Sequence, residues 1–246
     1  MSNIVRIGLA AAAVVILAVV VINLVPGSPQ VGSGATPTPI PSTEASGEPT
    51  PAGRLEEGPF ALWDGTLDGG ASIIVTIPAP GWSGDPNGGI LVKNHTVDPP
   101  DGAGMIVFAE DLYVYGDPCQ WSTTRPDTPA TTVDELVAAL AAQALRDASQ
   151  PVDITIDGYA GKSITLHVPD DAVFADCDQG YFGSWGTDSE PGAARYHQGP
   201  GQIDELYILD VGGVLTVIDT AYYAGTPAEH VAELYAIVAS ATFELP

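Results

Sequence analysis

Residues 7–25 form a run of 19 in which Asn23 is the only strongly polar member, with Arg6 just ahead and Pro26 directly behind. A helix of that length reaches roughly 28 Å at 1.5 Å per residue, about the hydrocarbon thickness of a bilayer. A secretory leader has a shorter apolar region that ends at a small-x-small site. Here the run is longer, Asn23-Leu24-Val25-Pro26 offers no good cleavage site, and no Cys follows to carry a lipid. The expectation is an uncleaved single-pass transmembrane anchor. Arg6 on the short side, with no further Lys or Arg until Arg54, sets an N-inside orientation. Residues 1–6 are then a cytoplasmic stub too short to fold, so whatever the protein does happens outside the membrane.

Residues 26–58 hold Pro26, Pro29, Pro37, Pro39, Pro41, Pro49 and Pro51 among Gly, Ser, Thr and Ala. With so few large apolar side chains, such a stretch does not offset its ordering entropy by burial. It reads as a disordered Pro/Ser/Thr linker, roughly 100 Å long if polyproline-like and about 30 Å as a flexible coil. From Pro59 the texture changes to alternating apolar segments, and residues 59–246 read as one extracytoplasmic domain.

Charge excludes one large class of partner. The chain of 246 residues carries 31 acidic against seven basic residues, a formal net charge of −24. From residue 59 on, five basic residues (Lys93, Arg125, Arg146, Lys162, Arg195) face 27 acidic ones. Such a field repels phosphate backbones, so nucleic acid is not an expected partner. Only 15% of residues are charged and 45% are hydrophobic, the balance of a folded domain with an acidic surface.

Two helices are marked by their starts. Thr132-Val133-Asp134-Glu135 has capping-box spacing and is followed by Val133, Leu136, Val137, Leu140 and Ala144 on one face. Thr226-Pro227-Ala228-Glu229 repeats the device with Pro at the first helical position, and Val231, Leu234, Tyr235 and Val238 form its stripe. Strand patterns run through 72–77, 89–92, 105–115, 152–156, 159–168, 206–209 and 214–218. Asp157-Gly158 suggests a tight turn, and Asp210-Val211-Gly212-Gly213 connects a second hairpin. Hairpins interrupted by two helices predict an α+β fold, an antiparallel β-sheet packed with two main helices.

Cys119 and Cys177 fall in the exported part, where thiols are oxidised. Asp117, Asp176 and Asp178 flank them and disfavour a thiolate, which argues against a catalytic Cys. A disulfide between them closes a loop of 59 residues and contributes about 4 kcal/mol on the chain-entropy model. Asp176-Cys177-Asp178-Gln179-Gly180 faintly resembles the start of a calcium loop, but Thr187 stands where the loop needs its closing Glu. No metal site and no cofactor is expected.

The stretch 181–202 gathers Tyr181, Phe182, Trp185, Arg195, Tyr196, His197, Gln198 and Gln202 between glycines. Aromatics, a cation and amides on loops are where sugar or peptide ligands find stacking and hydrogen bonds. The same residues also suit a covering loop that caps the core and pairs its Arg with an Asp. Trp185, Arg195, Tyr196, His197 and Gln198 are the candidate ligand-binding residues. G-x-S-x-G, HExxH, S-x-x-K and CxxC are absent, and His95, His167, His197 and His230 are scattered. No catalytic residue is assigned.

Several strings carry a likeness: Pro80-Gly81-Trp82, Asp117-Pro118-Cys119-Gln120-Trp121, Gly158-Tyr159-Ala160-Gly161-Lys162, Arg195-Tyr196-His197-Gln198-Gly199-Pro200-Gly201, Leu206-Tyr207-Ile208-Leu209-Asp210 and Ile237-Val238-Ala239-Ser240-Ala241-Thr242-Phe243. Together they resemble a group of uncharacterised membrane-anchored exported domains of high-GC bacteria. A weaker likeness is to the Mog1/PsbP-like lipoprotein fold, an antiparallel sheet between helices. Neither likeness implies catalytic residues.

The leading expectation is a membrane-tethered, non-catalytic domain at the cell surface that binds an unknown ligand or protein. One alternative is an exported hydrolase with its site near His197. The other is an accessory subunit of another membrane protein, using Gly8 and the alanines at 10–13 for close helix packing.

Overall fold

The computed structural model describes residues 53–64, 71–85, 89–94, 101–188, 190, 192 and 194–245. The anchor expected at 7–25 and most of the linker lie outside the described residues, as does His95. Among the described residues no helix is long and apolar enough to cross a membrane.

The strands in chain order are β1 (Gly58–Asp64), β2 (Ser72–Ile77), β3 (Ser83–Asp85), β4 (Ile90–Lys93), β5 (Ala103–Phe108) and β6 (Tyr113–Val114). Helix α1 (Val133–Ala141) follows, then β7 (Asp147–Ala148), β8 (Val152–Ile156), β9 (Tyr159–His167), β10 (Gly183–Gly186), β11 (Arg195–Tyr196), β12 (Gln202–Val211) and β13 (Val214–Tyr223). Helix α2 (Ala228–Ala239) and β14 (Thr242–Glu244) complete the described fold. Among the described residues every strand pairing is antiparallel. The central sheet runs β3-β4-β5-β13-β12-β9-β7, with β8 also on β9; β1-β2-β14 and β11-β10-β6 form two smaller sheets.

The turn at Asp157-Gly158 forms where the sequence places it, and the second hairpin is tighter than the expected 210–213 connection because Asp210 and Val211 still pair within the sheet. Val211 pairs with Val214 across Gly212 and Gly213, whose φ values are 64° and 94°. Ile156 pairs with Tyr159 across Asp157 (φ 50°) and Gly158 (φ 84°). Both are two-residue loops with two positive φ angles, the twist that matches the flanking strands.

The segment 105–115 is not the single strand its composition predicts. β5 stops at Phe108, and the chain then changes sheets, with Tyr113 and Val114 pairing to β10. Exposed Asp111 marks the break in the apolar alternation.

The helices also differ from expectation in their caps. In α1, Thr132 accepts from the Glu135 backbone N–H at 3.2 Å, but the Glu135 carboxylate reaches back to Thr131 instead. α2 has no side-chain cap. The Thr226 hydroxyl accepts from the Tyr223 N–H and donates to the Gly102 carbonyl, which ties the hairpin's end to the strand beside it. The stripe of α2 buries Leu234, Ile237 and Val238, whereas Tyr235 stays exposed and meets Tyr222.

Register assigns the faces of the central sheet. Met105, Val107, Leu209, Val211 and Ile218 point to one side and pack with α2 and the β1-β2-β14 sheet. Phe108, Ile164, Leu166, Leu206, Ile208, Leu215 and Val217 point to the other and pack with α1 and Trp185. Antiparallel sheets with two helices packed on them, predominantly β, is therefore the architecture. At the start of the described chain, Leu55 N–H bonds Trp82 O and Gly84 N–H bonds Gly53 O.

Cys119 and Cys177 are joined in a disulfide. Around it Val168, Phe182, Phe174 and Ala172 form a small apolar cluster. Asp178, a member of the calcium-like string, directs its carboxylate to the backbone and hydroxyl of Ser122. Among the described residues no group of acidic, His or Cys side chains is placed to hold a metal.

Candidate functional site: a cleft beside a buried charge cluster

On the face that carries α1, two rows cross the central sheet. One is Val92, Gly104, Ala221, Asp204 and Leu166; the next is Ile90, Ile106, Asp219, Leu206 and Ile164. Large side chains in these rows meet α1 and Trp185, but Gly104 and Ala221 leave a hollow. The hollow is a cleft of about 520 Å³, within the range of roughly 300–1,000 Å³ usual for ligand pockets. Its lining includes Ile90, Val92, Ile106 and Ala194 together with Arg195, Tyr196, Gln198, Gln202, Asp219 and Tyr223.

Behind the cleft lies a cluster of charges withdrawn from water. Asp204 and Asp219 project from β12 and β13, where alternation requires apolar residues. Asp204 binds Arg146 Nη2 through Oδ2 at 2.6 Å and Arg195 Nη2 through Oδ1 at 2.9 Å. Arg195 also donates through Nε to Asp219 Oδ2 and through Nη1 to the Tyr196 carbonyl. Gln202 Nε2 donates to Asp204 Oδ1 at 2.6 Å. Asp219 Oδ1 is buried and has no hydrogen-bond partner among the described residues.

His197 sits inside this cluster. Its Nε2 lies 2.7 Å from Ser184 Oγ and 2.8 Å from Arg146 Nη1, and its Nδ1 lies 3.1 Å from Asp204 Oδ2. A guanidinium has donors only, so Nε2 must accept and the proton must sit on Nδ1, facing Asp204. Burial lowers the imidazole to about 3, with Arg146 and Arg195 adding to the effect and Asp204 opposing it. Burial alone would raise the Asp204 carboxyl, but His197, Arg195 and Arg146 hold it below the usual carboxylate range. Asp219 is pushed up to about 7, chiefly by burial and further by Asp204, against the pull of Arg195.

Ser184, His197 and Asp204 thus lie in the order of a hydrolytic triad, but their surroundings oppose that chemistry. Ser184 is fully buried, does not line the cleft, and accepts a hydrogen bond from Arg146 Nη1 at 2.7 Å. An imidazole held near 3 is a poor base for a hydroxyl. The Arg146 guanidinium already engages both Nε2 and Oγ.

Of the five residues read as ligand-binding, the structure places Arg195, Tyr196 and Gln198 in the cleft wall. Trp185 lies under the sheet with its ring edge-on to Phe108, and His197 lies in the charge cluster. Tyr196 is about half exposed and its ring is 5.5 Å from that of Tyr181. Sequence reasoning missed Arg146, Ser184, Asp204 and Asp219. The available signal was Asp204 and Asp219 themselves, each a carboxylate on the inward parity of a long apolar strand.

No protein-family model matches the chain, and a search of curated proteins gives no match. Among solved structures the chain is similar to LpqN, described as involved in cell envelope biogenesis of Mycobacterium tuberculosis, with a TM-score of 0.40 and 11% identity. That similarity covers 78% of this chain and 93% of LpqN.

Proposed function

We propose that the protein is a non-catalytic, extracytoplasmic ligand-binding domain, tethered to the cell membrane by a single-pass helix at 7–25 and held off it by the linker. The observation that carries the reading is the cleft: lined by Ile90, Val92, Ile106 and Ala194 together with Glu190, Tyr196, Gln198 and Tyr223, and adjoining the ion pairs of Arg195 with Asp204 and Asp219. Convergent polar groups around an apolar hollow are what a small-molecule site requires. The disulfide agrees with folding in an oxidising compartment.

The test is to fill the hollow. Ala221→Trp puts an indole where the ligand would lie, so the wild-type chain should bind members of a small-molecule panel that the variant does not. A variant that binds every one of them as well as wild type overturns the reading.

The Ser184–His197–Asp204 geometry favours an exported hydrolase as the second reading. Its enclosure favours a structural role instead. Turnover of an ester, amide or glycoside by the wild type that is lost in His197→Ala would establish the hydrolase.

A further inference from the structure

We infer that the cleft takes an organic cation, an apolar chain that lies along β4 and β5 and ends in a primary ammonium held by Glu190. The inference rests on the reading of the cleft as a ligand site and adds the charge and chemical class of the ligand.

The lining divides by element. β4 and β5 contribute Ile90, Val92, Gly104 and Ile106, whose side chains are hydrocarbon or absent. The link between β10 and β11 contributes Glu190. A turn fixes the Glu190 backbone: its N–H donates to Thr187 Oγ1 at 3.0 Å and its carbonyl accepts from the Thr187 N–H at 3.0 Å. Glu190 itself is exposed. Hydrocarbon and a solvent-facing carboxylate thus border one hollow, the two halves of a site for an amphiphile.

The same lining offers an anion little. Among the lining residues Arg195 is the one cation, and its Nε, Nη1 and Nη2 already donate to Asp219, the Tyr196 carbonyl and Asp204. The Tyr223 hydroxyl donates to Gln202 Oε1 at 3.3 Å, which leaves its oxygen as an acceptor. Arg125 reaches the turn at Thr187, but it pairs with Asp188 and lies over the ring of Tyr113. Among the described residues Glu190 is in no ion pair.

The charge count depends on pH, and the conclusion does not. Asp219 is raised to about 7, chiefly by burial, so at pH 8 it is mostly ionised. Arg146 and Arg195 then balance Asp204 and Asp219, His197 is neutral, and Glu190 leaves the site a net negative charge. When Asp219 takes a proton the sum rises to zero, but Arg146 and Arg195 stay buried and committed. In both states the charge that faces solvent in the cleft is Glu190. Because that carboxylate is exposed, an ammonium beside it keeps part of its water while its chain leaves water. The gain is that of an exposed pair, about fivefold in affinity at most.

From residue 59 on, 27 acidic residues face five basic ones, so any site on this domain draws cations to some degree. The experiment must therefore separate Glu190 from the general field. It uses the full chain in nanodiscs of zwitterionic lipid at pH 8 and low salt, with empty nanodiscs as the reference. The probes are hexylamine, 1-hexanol and hexanoate, with dissociation constants measured by calorimetry. The wild type should bind hexylamine about fivefold tighter than 1-hexanol, and hexanoate weakest. Glu190→Gln should cut the amine's advantage over the alcohol below about twofold and leave the alcohol's affinity unchanged. Glu229→Gln removes the same charge from an exposed position on α2, which packs on the other face of the central sheet, and should keep the advantage intact. Wild-type binding of the alcohol or the carboxylate at least as tight as that of the amine overturns the ligand class. So does an amine advantage that Glu190→Gln lowers no more than Glu229→Gln does. Binding of no probe by the wild type, or binding that Ala221→Trp leaves unchanged for every probe, overturns instead the reading of the cleft as a site.

Discussion

The carboxylate of Asp204 lies 2.6 Å from Nη2 of Arg146, and both side chains are withdrawn from water. The second oxygen of the same carboxylate serves Arg195, so one Asp neutralises two guanidinium groups that come from distant parts of the chain. Removing it leaves two buried cations with one carboxylate between them. Asp204→Ala should therefore cost about 3–5 kcal/mol, the range for breaking a buried pair from one side. Urea denaturation measures it. Lys162 and Asp153, 2.7 Å apart with Asp153 largely exposed, give the contrast: Asp153→Ala should leave the midpoint nearly unchanged.

His197 and Asp219 should bend the pH dependence of stability in opposite directions. The folded imidazole is lowered to about 3 against an ordinary value near 6.5, so its contribution is present above that value and is lost as pH falls toward 3. The folded Asp219 carboxyl is raised to about 7, so between pH 7 and about 4 the native state holds a proton that the unfolded state does not. Its contribution grows as pH falls. Relative to wild type, His197→Gln should gain stability between pH 6 and 4, and Asp219→Asn should lose it. Denaturation midpoints at a series of pH values check both signs; parallel profiles for all three proteins would refute the assignment.

The disulfide fastens the turn at 117–121 to the segment that leads into β10. Asp178 N–H bonds Cys119 O and Gly183 N–H bonds Pro118 O beside it. Replacing both cysteines with Ala should cost about 4 kcal/mol, most of it from a freer unfolded chain. The expected signature in thermal melts is a lower midpoint with little change in far-ultraviolet circular dichroism.

Two neighbouring glycines should fail for different reasons when given a methyl group. At Gly158 a Cβ meets nothing within 4 Å, so Gly158→Ala suffers only from its φ of 84°, about 1–2 kcal/mol. At Gly161 a Cβ would sit 2.0 Å from the carbonyl oxygen of Ile208 on β12. Backbone cannot move aside easily there, so Gly161→Ala should be the more damaging of the two, costing about 1–3 kcal/mol or more. Chemical denaturation of the two variants ranks them.

Much of the scaffold was readable from neighbours in the chain. Asp157-Gly158 and the glycines within 210–213 mark their turns because Gly, Asp and Asn tolerate positive φ. Alternation marks 152–156, and helical spacing marks Leu136, Val137 and Leu140. The Cys119–Cys177 pair followed from their being the two cysteines of the chain. The sheet switch after Phe108 was not readable, because whether β6 joins β5's sheet or pairs with β10 depends on a partner about 70 positions away. Nor was the use of Thr226, whose hydroxyl serves Gly102, just ahead of β5, rather than its own helix.

The same division runs through the candidate site. Sequence by itself determined that the loop around Arg195-Tyr196-His197-Gln198 is rich in groups able to bind, and that an acidic chain with few cations must place each Arg with care. Only the tertiary structure decided that Arg195 is committed to Asp204 and Asp219, that His197 is walled in by Arg146, and that Gly104 and Ala221 face each other across two strands to open the cleft. Local conformation depends on a few adjacent dihedral angles and is written in short windows. Burial, ion pairing and hollows are made by residues that meet after the chain has folded back on itself, and partners such as Arg146 and Asp204 or Arg195 and Asp219 lie too far apart for a short window to pair them.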